Sequence, residues 1–236
     1  MLNEPLIADY LAFRPRNIVR GKKMEFYLLD PLPGKDGRVP LSTTEEHSGD
    51  IVVDCASCGT RGILPKCMCG KLPVDILVKD VGFLEDIEQA ATVLLASRKF
   101  RQAVASAGLT GIEFYPPLGY RSPSKNQEFR RMIRRCREEL QYAVIDVTGR
   151  GGSVALTSGL ELRKSCDVCG WREWTLPEEG FYVDEKQWDG SDFFHVEEYG
   201  PFFMTQRAVD VLSSVGLSNF GAELATECRP LRLGWR

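Results

Sequence analysis

Cysteine spacing constrains this chain more than any other feature of its sequence. Six of the eight cysteines fall into three tight groups: Cys55-Ala-Ser-Cys58-Gly59, Cys67-Met-Cys69-Gly70 and Cys166-Asp-Val-Cys169-Gly170. Two thiolates two residues apart can reach one ion at about 2.3 Å, and the glycine that follows suits a turn with positive φ. The two Cys-x-x-Cys-Gly motifs therefore predict two zinc-ribbon-like knuckles, the loops that carry the cysteines, around one tetrahedral Zn²⁺ site. Redox-active pairs and buried thiols without a ligand are the alternatives.

The sequence also contains an internal repeat. Residues 95–114 (LASRKFRQAVASAGLTGIEF) align without gaps with residues 203–222 (FMTQRAVDVLSSVGLSNFGA). Each copy predicts a helix capped by Ser97 or Thr205, with an apolar stripe at helical spacing and a Gly-Leu pair at its end. Upstream of each copy lies an Asp-apolar-apolar strand start, Asp75-Ile76-Leu77 and Asp192-Phe193-Phe194.

Each copy of this predicted strand-helix-strand unit follows a Cys-x-x-Cys-Gly motif. The fold class we expect is α+β, with two similar units whose knuckles are joined around a zinc site. The expected domains are an N-terminal extension (1–23), a first knuckle and unit (24–120), and a linking helix with the second knuckle and unit (121–236).

The spacing leaves two sets of zinc ligands open. A local site would combine the first motif with Cys67 and Cys69. A site between distant segments would combine both motifs, and the duplicated order of the units favours it: Cys55, Cys58, Cys166 and Cys169. In that case Cys67 and Cys69 are a replacement pair or a second, partial site.

Composition narrows the class of protein. No apolar run approaches the roughly 18–20 residues of a membrane-spanning helix, and the N-terminal residues lack the charge order of a secretory signal, so we expect a cytoplasmic protein without a membrane partner. The net charge of −3 gives no general attraction to nucleic acid. His47 and His195 lie in no recognisable catalytic motif, so we do not expect an enzyme.

A family resemblance rests on three features. They are the two Cys-x-x-Cys-Gly motifs, a short opening strand, MEFYLL, and the closing segment FFMTQRAVDVLSSVGLSNF. Together they resemble the bacterial double-CXXCG proteins, myxobacterial paralogues of polymorphic-toxin immunity systems, over about Met24 to Leu231. The resemblance implies a non-enzymatic protein that binds and neutralises a cognate toxin in the producing cell. The resemblance assigns family positions only to the cysteines and glycines of the two motifs: Cys55, Cys58, Gly59, Cys166, Cys169 and Gly170. Cys67 and Cys69 depart from the family's simple pattern.

One segment has the chemistry expected of a protein-binding surface. Residues 178–200 carry eight acidic residues, opposed by one lysine and interleaved with aromatic residues. Acidic side chains accelerate association with a basic partner, and a nuclease toxin would be a suitable one. Aromatic side chains supply binding energy. We expect Trp188, Asp189, Glu197 and Glu198 to contact the toxin. The alternative is that the aromatic side chains fill the core and the acids are only solvated.

A zinc-ribbon nucleic-acid-binding or regulatory protein is the alternative function. Residues 125–140 read as a helix with five arginines, which would suit phosphate groups. Acids surround these arginines and no aromatic platform accompanies them, so a solvated basic face is the better interpretation.

Overall fold

The computed structural model of the chain describes residues 24–31, 41–43, 51–59, 61–64, 75–78, 84–90, 93–121, 126–170, 172–198 and 202–228. The expected N-terminal extension, residues 1–23, lies outside these ranges.

The described residues form an α+β fold, as predicted, with mixed sheets and short helices. The strands, numbered in chain order, are β1 Phe26–Pro31, β2 Leu41–Thr43, β3 Ile51–Asp54, β4 Arg61–Leu64, β5 Asp75–Val78, β6 Ile87–Ala90, β7 Val93–Ala96, β8 Ile112–Tyr115, β9 Gly119–Arg121, β10 Ala143–Val147, β11 Gly149–Arg150, β12 Leu162–Ser165, β13 Arg172–Trp174, β14 Phe193–His195, β15 Phe203–Thr205 and β16 Phe220–Leu224. The helices are α1 Arg98–Ala107, α2 Gln127–Arg134 and α3 Gln206–Ser214, and a π-helical segment, Arg135–Leu140, continues α2.

Two sheets share one arrangement of strands around a helix. In the four-stranded sheet, order β6-β7-β10-β8, α1 connects β7 to β8 and β10 lies between these two strands. In the five-stranded sheet, order β11-β14-β15-β1-β16, α3 connects β15 to β16 and β1 lies between them. Each inserted strand runs antiparallel to both neighbours. Each sheet thus takes its inserted strand from outside its own strand-helix-strand segment.

Helices α1 and α3 begin and end as the sequence predicts. The side chains of Ser97 and Thr205 accept a hydrogen bond from the backbone N–H three residues later, at 3.3 Å in both cases. Gly108 and Gly216 follow the helices with φ of 60°, a left-handed conformation that costs glycine little. Both helices pack into one hydrophobic cluster. The predicted apolar stripe of the second copy is Ala208, Val211, Leu212 and Val215, but α3 ends at Ser214 and Val215 is 37% exposed.

Two details of the expected strands are wrong. Asp75 begins β5 in a separate three-stranded sheet, and Asp86, just before β6, makes the contacts that correspond to those of Asp192. The sequence suggests an insertion in the first copy around Gly82 to Ala91, but this segment contains β6, which directly follows Asp86. The sequence also predicts a hairpin of residues 141–147 and 153–157, but residues 153–157 form no strand and residues 155–159 form a turn. The chain instead leaves β10 for β11, which pairs in parallel with β14.

Reciprocal hydrogen bonds join the two strand-helix-strand segments. The carboxylate of Asp86 accepts from the backbone N–H and hydroxyl of Ser218, at 3.0 and 3.2 Å. The carboxylate of Asp192 accepts from the same two groups of Thr110, at 3.0 and 3.3 Å. Each aspartate thereby holds the loop that follows the helix of the other segment.

Basic side chains repeat this reciprocity. Lys99 donates to the carbonyl oxygen of Gly216 at 2.6 Å, and Arg207 donates to that of Ala107, also at 2.6 Å. Each cation thus binds the C-terminal end of the opposite helix, where carbonyl groups lack partners within the helix and the helix dipole is negative.

Candidate metal centre

Two β-hairpins carry the Cys-x-x-Cys-Gly motifs. The hairpin of β3 and β4 holds Cys55 and Cys58 in its connecting loop. The hairpin of β12 and β13 holds Cys166 and Cys169 in the same position. The predicted knuckles therefore lie in loops that paired strands support at both ends.

The two loops have the same turn. The backbone N–H of Gly59 donates to the carbonyl oxygen of Cys55 at 2.8 Å, and that of Gly170 donates to the carbonyl oxygen of Cys166 at 2.8 Å. The two glycines have φ of 69° and 73°. This left-handed conformation reverses the chain after the second cysteine, so both thiols of a motif point to the same side.

The four thiols of the two motifs converge, although the motifs are 111 positions apart. The Sγ atoms of Cys55 and Cys166 are 3.8 Å apart, and those of Cys58 and Cys169 are 3.7 Å apart. All four sulfur atoms lie within 4.8 Å of one another. Four ligands at about 2.3 Å from a central Zn²⁺ ion are about 3.8 Å apart in a tetrahedron. The cluster could therefore hold one metal ion.

The cluster has a buried side and an exposed side. Cys55 and Cys166 are buried, Cys169 is half-buried and Cys58 is exposed. Hydrogen bonds from the backbone N–H groups of Cys169 and Val168 lower the pKa of Cys166. Because the thiolate is the form that binds metals, these backbone groups favour the ligand state of Cys166.

The six cysteines in the described ranges are all free of disulfide bonds. The sulfur separations in the cluster far exceed the length of an S–S bond, about 2.05 Å. Cys136 and Cys228 are fully buried in two other hydrophobic clusters, and burial raises the pKa of Cys136 to about 12. The alternative ligands, Cys67 and Cys69, lie outside the described residues.

Trp188 and Asp189, expected at the toxin surface, have contacts within the chain. The ring of Trp188 is half-buried and packs edge-on against Phe26, 5.3 Å away between ring centres. Its Nε1–H donates to the carbonyl oxygen of Ser191 at 3.0 Å. Asp189 is exposed, and its carboxylate accepts from the backbone N–H groups of Arg150 and Ser191 at 2.8 and 2.9 Å.

Glu197 and Glu198 differ from each other. The carboxylate of Glu198 accepts from the backbone N–H of Val154 at 2.9 Å and from the hydroxyl of Ser153, so it holds the turn after β11. Glu197 is exposed. These turn contacts escaped the sequence analysis because the partners lie more than 40 positions apart, and no local pattern marks them.

Much of the aromatic content of residues 178–200 lies in the core. Phe181, Phe193 and Phe194 are at most 1% exposed. Their rings pack against other core residues, and Phe194 stacks on Phe203 with ring centres 5.5 Å apart. Of the aromatic residues described in this segment, only Tyr182 and Trp188 retain partial exposure.

Comparison with known proteins leaves the family open. No family model matches this sequence, and a search of curated proteins finds no match. Among the described residues, no helix combines the length and hydrophobicity needed to cross a bilayer.

Proposed function

We propose that Cys55, Cys58, Cys166 and Cys169 bind one structural Zn²⁺ ion. The convergence of these four thiols, at separations that suit a tetrahedral ion, is the observation that carries the proposal. An all-thiolate set favours Zn²⁺ over harder ions such as Mg²⁺. It also leaves no open coordination position for a substrate, which is typical of a structural site rather than a catalytic one.

We further propose that the chain is built from two similar strand-helix-strand units that this ion joins. The shared topology of the two sheets and the reciprocal contacts of Asp86 and Asp192 support this division. Equivalent cysteines of the two motifs face each other, as a pseudo-twofold arrangement requires. The free energy of metal binding would then stabilise the fold of the whole chain.

The function that we propose is immunity: a non-catalytic, cytoplasmic protein binds and neutralises a cognate toxin. The double Cys-x-x-Cys-Gly pattern, the opening strand and the closing segment support it through their resemblance to such proteins. A structural metal centre suits a protein that acts by binding. A binding surface that is already rigid does not have to be ordered when the partner arrives, so less conformational entropy is lost.

The proposed toxin-facing residues are Trp188, Asp189, Glu197 and Glu198. Glu197 is exposed and Trp188 is half-exposed, so both have surface to offer a partner. A basic toxin, such as a nuclease, fits the acidic character of the segment.

A zinc-ribbon nucleic-acid-binding protein is the second candidate. The five arginines of α2 and the π-helical segment are all exposed, which favours contact with phosphate groups. Three glutamates on the same segments, Glu128, Glu138 and Glu139, are also exposed and reduce this basic character.

Coexpression with a toxin tests the immunity proposal. The partner is the toxic domain encoded by the gene next to that of this chain. We expect the chain to restore growth and to form a stable complex with that domain, while the Cys55→Ser/Cys166→Ser double variant loses both properties. A matched Cys228→Ala variant, altered at a cysteine outside the cluster, should still protect. Tight binding of a DNA or RNA duplex without any protection would instead support the second candidate.

A further inference from the structure

An open cleft of about 620 Å³ lies between the start of β1, the turn before β14 and the start of α3. Its lining residues are Met24, Glu25, Trp188, Gly190, Asp192, Thr205, Gln206 and Arg207. No cysteine of either knuckle lines the cleft, which includes one of the residues expected at a partner surface, Trp188.

The indole ring of Trp188 forms a rigid wall of this cleft. The ring packs against Phe26, and its centre lies 6.0 Å from the centre of the Phe194 ring. The hydrogen bond from its Nε1–H to Ser191 fixes the orientation of the ring. A half-exposed aromatic ring that the core holds in place is suited to bind a cation without loss of side-chain entropy.

The charge of the cleft is negative. Glu25 is exposed at its rim. Arg207 is the basic residue of the lining, and its guanidinium already binds the buried carboxylate of Asp192 at 2.8 Å and the carbonyl oxygen of Ala107 at 2.6 Å. The charge of Glu25 is therefore left to attract a cation from outside.

The groups around Tyr27 also indicate a negative electrostatic potential near the cleft. Partial burial, a hydrogen bond to Glu25, and the negative charges of Glu25, Asp210 and Glu227 raise the pKa of Tyr27. The hydroxyl of Tyr27 contacts both Glu25 and Gln206, which line the cleft. Acidic groups just before β1, on α3 and in the turn after β16 thus act on Tyr27, next to this end of the cleft.

We propose that this cleft binds an arginine or lysine side chain of a protein partner. The cationic head would lie against the ring of Trp188 and reach the carboxylate of Glu25. The cation–π contact with the ring and the charge-assisted hydrogen bond to the carboxylate would act together. This inference rests on the proposed immunity function. In it, a basic toxin inserts an anchoring side chain into the cleft.

A peptide titration tests the chemistry of the cleft in the full chain. The probe is a hexa-arginine peptide, and the readout is the NMR signal of the Trp188 Nε1–H, identified by its loss in Trp188→Phe. We expect this signal to shift with the arginine peptide but not with hexa-citrulline, which has nearly the same shape without the charge. Glu25→Gln should weaken binding about tenfold, whereas Glu138→Gln, an equal change in net charge on the π-helical segment, should leave it unchanged.

Three results of the titration would overturn the proposal. One is equal binding of the citrulline peptide, and another is an equal effect of Glu25→Gln and Glu138→Gln. The third is much tighter peptide binding when Arg20, Lys22 and Lys23 are changed to glutamine, because the chain's own basic segment would then be the occupant.

A second measurement separates this inference from the immunity proposal. Glu25→Lys should weaken the complex with the toxic domain at least tenfold while zinc content and thermal stability stay unchanged. If wild type protects cells and Glu25→Lys binds the toxic domain as well as wild type does, the cleft assignment is wrong and immunity stands. If wild type fails to protect, immunity is wrong, and the peptide titration still decides whether the cleft binds a cationic side chain.

Discussion

The carboxylate of Asp86 binds both the backbone N–H and the hydroxyl of Ser218, a residue 132 positions later in the chain. The same carboxylate accepts a hydrogen bond from Ser97, the N-cap of α1, at 2.6 Å. One buried side chain therefore fixes the start of one helix and the loop after the other. Asp192 does the same for Thr205 and Thr110.

We expect Asp86→Asn and Asp192→Asn to destabilise the protein by similar amounts, about 3 kcal/mol each. Each change replaces a charged acceptor of several buried hydrogen bonds with a group that can accept at only one atom. Urea unfolding measures the loss. Asp210→Asn is the matched control, because its exposed carboxylate accepts a hydrogen bond from Gln206 on the same helix, and it should change stability by less than about 0.5 kcal/mol. A similar small effect of Asp86→Asn would contradict this account of the loop contacts.

Zinc content should depend on both hairpins. We expect one Zn²⁺ ion per chain in wild type and almost none in Cys55→Ser or Cys166→Ser, because three thiolates cannot close a tetrahedral site. Elemental analysis of untagged protein measures this, with Cys228→Ala as a control that should retain the ion. If Cys166→Ser keeps its zinc and Cys67→Ser loses it, the ligands are instead the local set: the two cysteines of the first motif together with Cys67 and Cys69.

Removal of the proposed metal should loosen both proposed units together. A strong chelator is expected to reduce amide hydrogen-exchange protection in α1 and α3 at the same time, since we propose that the ion joins hairpins of different units. Binding of the toxic domain should be lost with it, without any bond from metal to toxin. Loss of protection confined to the hairpins β3–β4 and β12–β13 would show that the ion stabilises only its own loops.

Glu88 should make stability depend on pH. The residue is 4% exposed, and burial raises the pKa of its carboxyl group from 4.5 to about 7. Between these values the folded state binds a proton that the unfolded state has released, so stability falls as the pH rises from about 4.5 to about 7. The loss from this group totals about 3 kcal/mol. The neighbouring thiol of Cys136 and hydroxyl of Tyr142, whose pKa values burial also raises, stay neutral throughout.

Glu88→Gln should remove this dependence. The amide keeps an oxygen that can accept the hydrogen bond from the backbone N–H of Glu85, but it does not titrate. Urea unfolding measures the difference in unfolding free energy between the variant and wild type at each pH. We expect this difference to favour the variant more at pH 7.5 than at pH 5. Glu113→Gln, a change on the exposed side of β8, controls for the loss of one negative charge. An equal gain in that control would show that net charge, and not burial, is responsible.

Charge reversal tests the proposed acidic surface. Glu197→Lys should slow association with the toxic domain severalfold at low salt, with a smaller difference at high salt and unchanged zinc content. Stopped-flow kinetics measures these rates, and Glu138→Lys matches the change in net charge. Glu198→Lys should also slow association, but it will in addition destabilise the turn that Glu198 holds through Ser153 and Val154. Unchanged rates for Glu197→Lys would remove this residue from the interface.

Features that act over a few residues were readable from the sequence. The caps Ser97 and Thr205 and the glycines Gly108 and Gly216 each act within one or two turns of the chain, so their spacing predicted where α1 and α3 begin and end. Gly59 and Gly170, which follow the two Cys-x-x-Cys pairs, have the positive φ that their position suggested. In all these cases the interacting atoms belong to neighbours in sequence, and the local pattern contains the whole interaction.

Tertiary structure decided what depends on distant partners. The insertion of β1 between β15 and β16 and of β10 between β7 and β8, the selection of Asp86 instead of Asp75, and the use of Glu198 to hold a turn all depend on pairs far apart in sequence. Spacing within one motif brings two thiols to one side of a loop. The approach of Cys55 to Cys166 across 111 positions depends on how the two sheets and their hairpins pack, because burial of apolar surface and long-range strand pairing determine which loops meet.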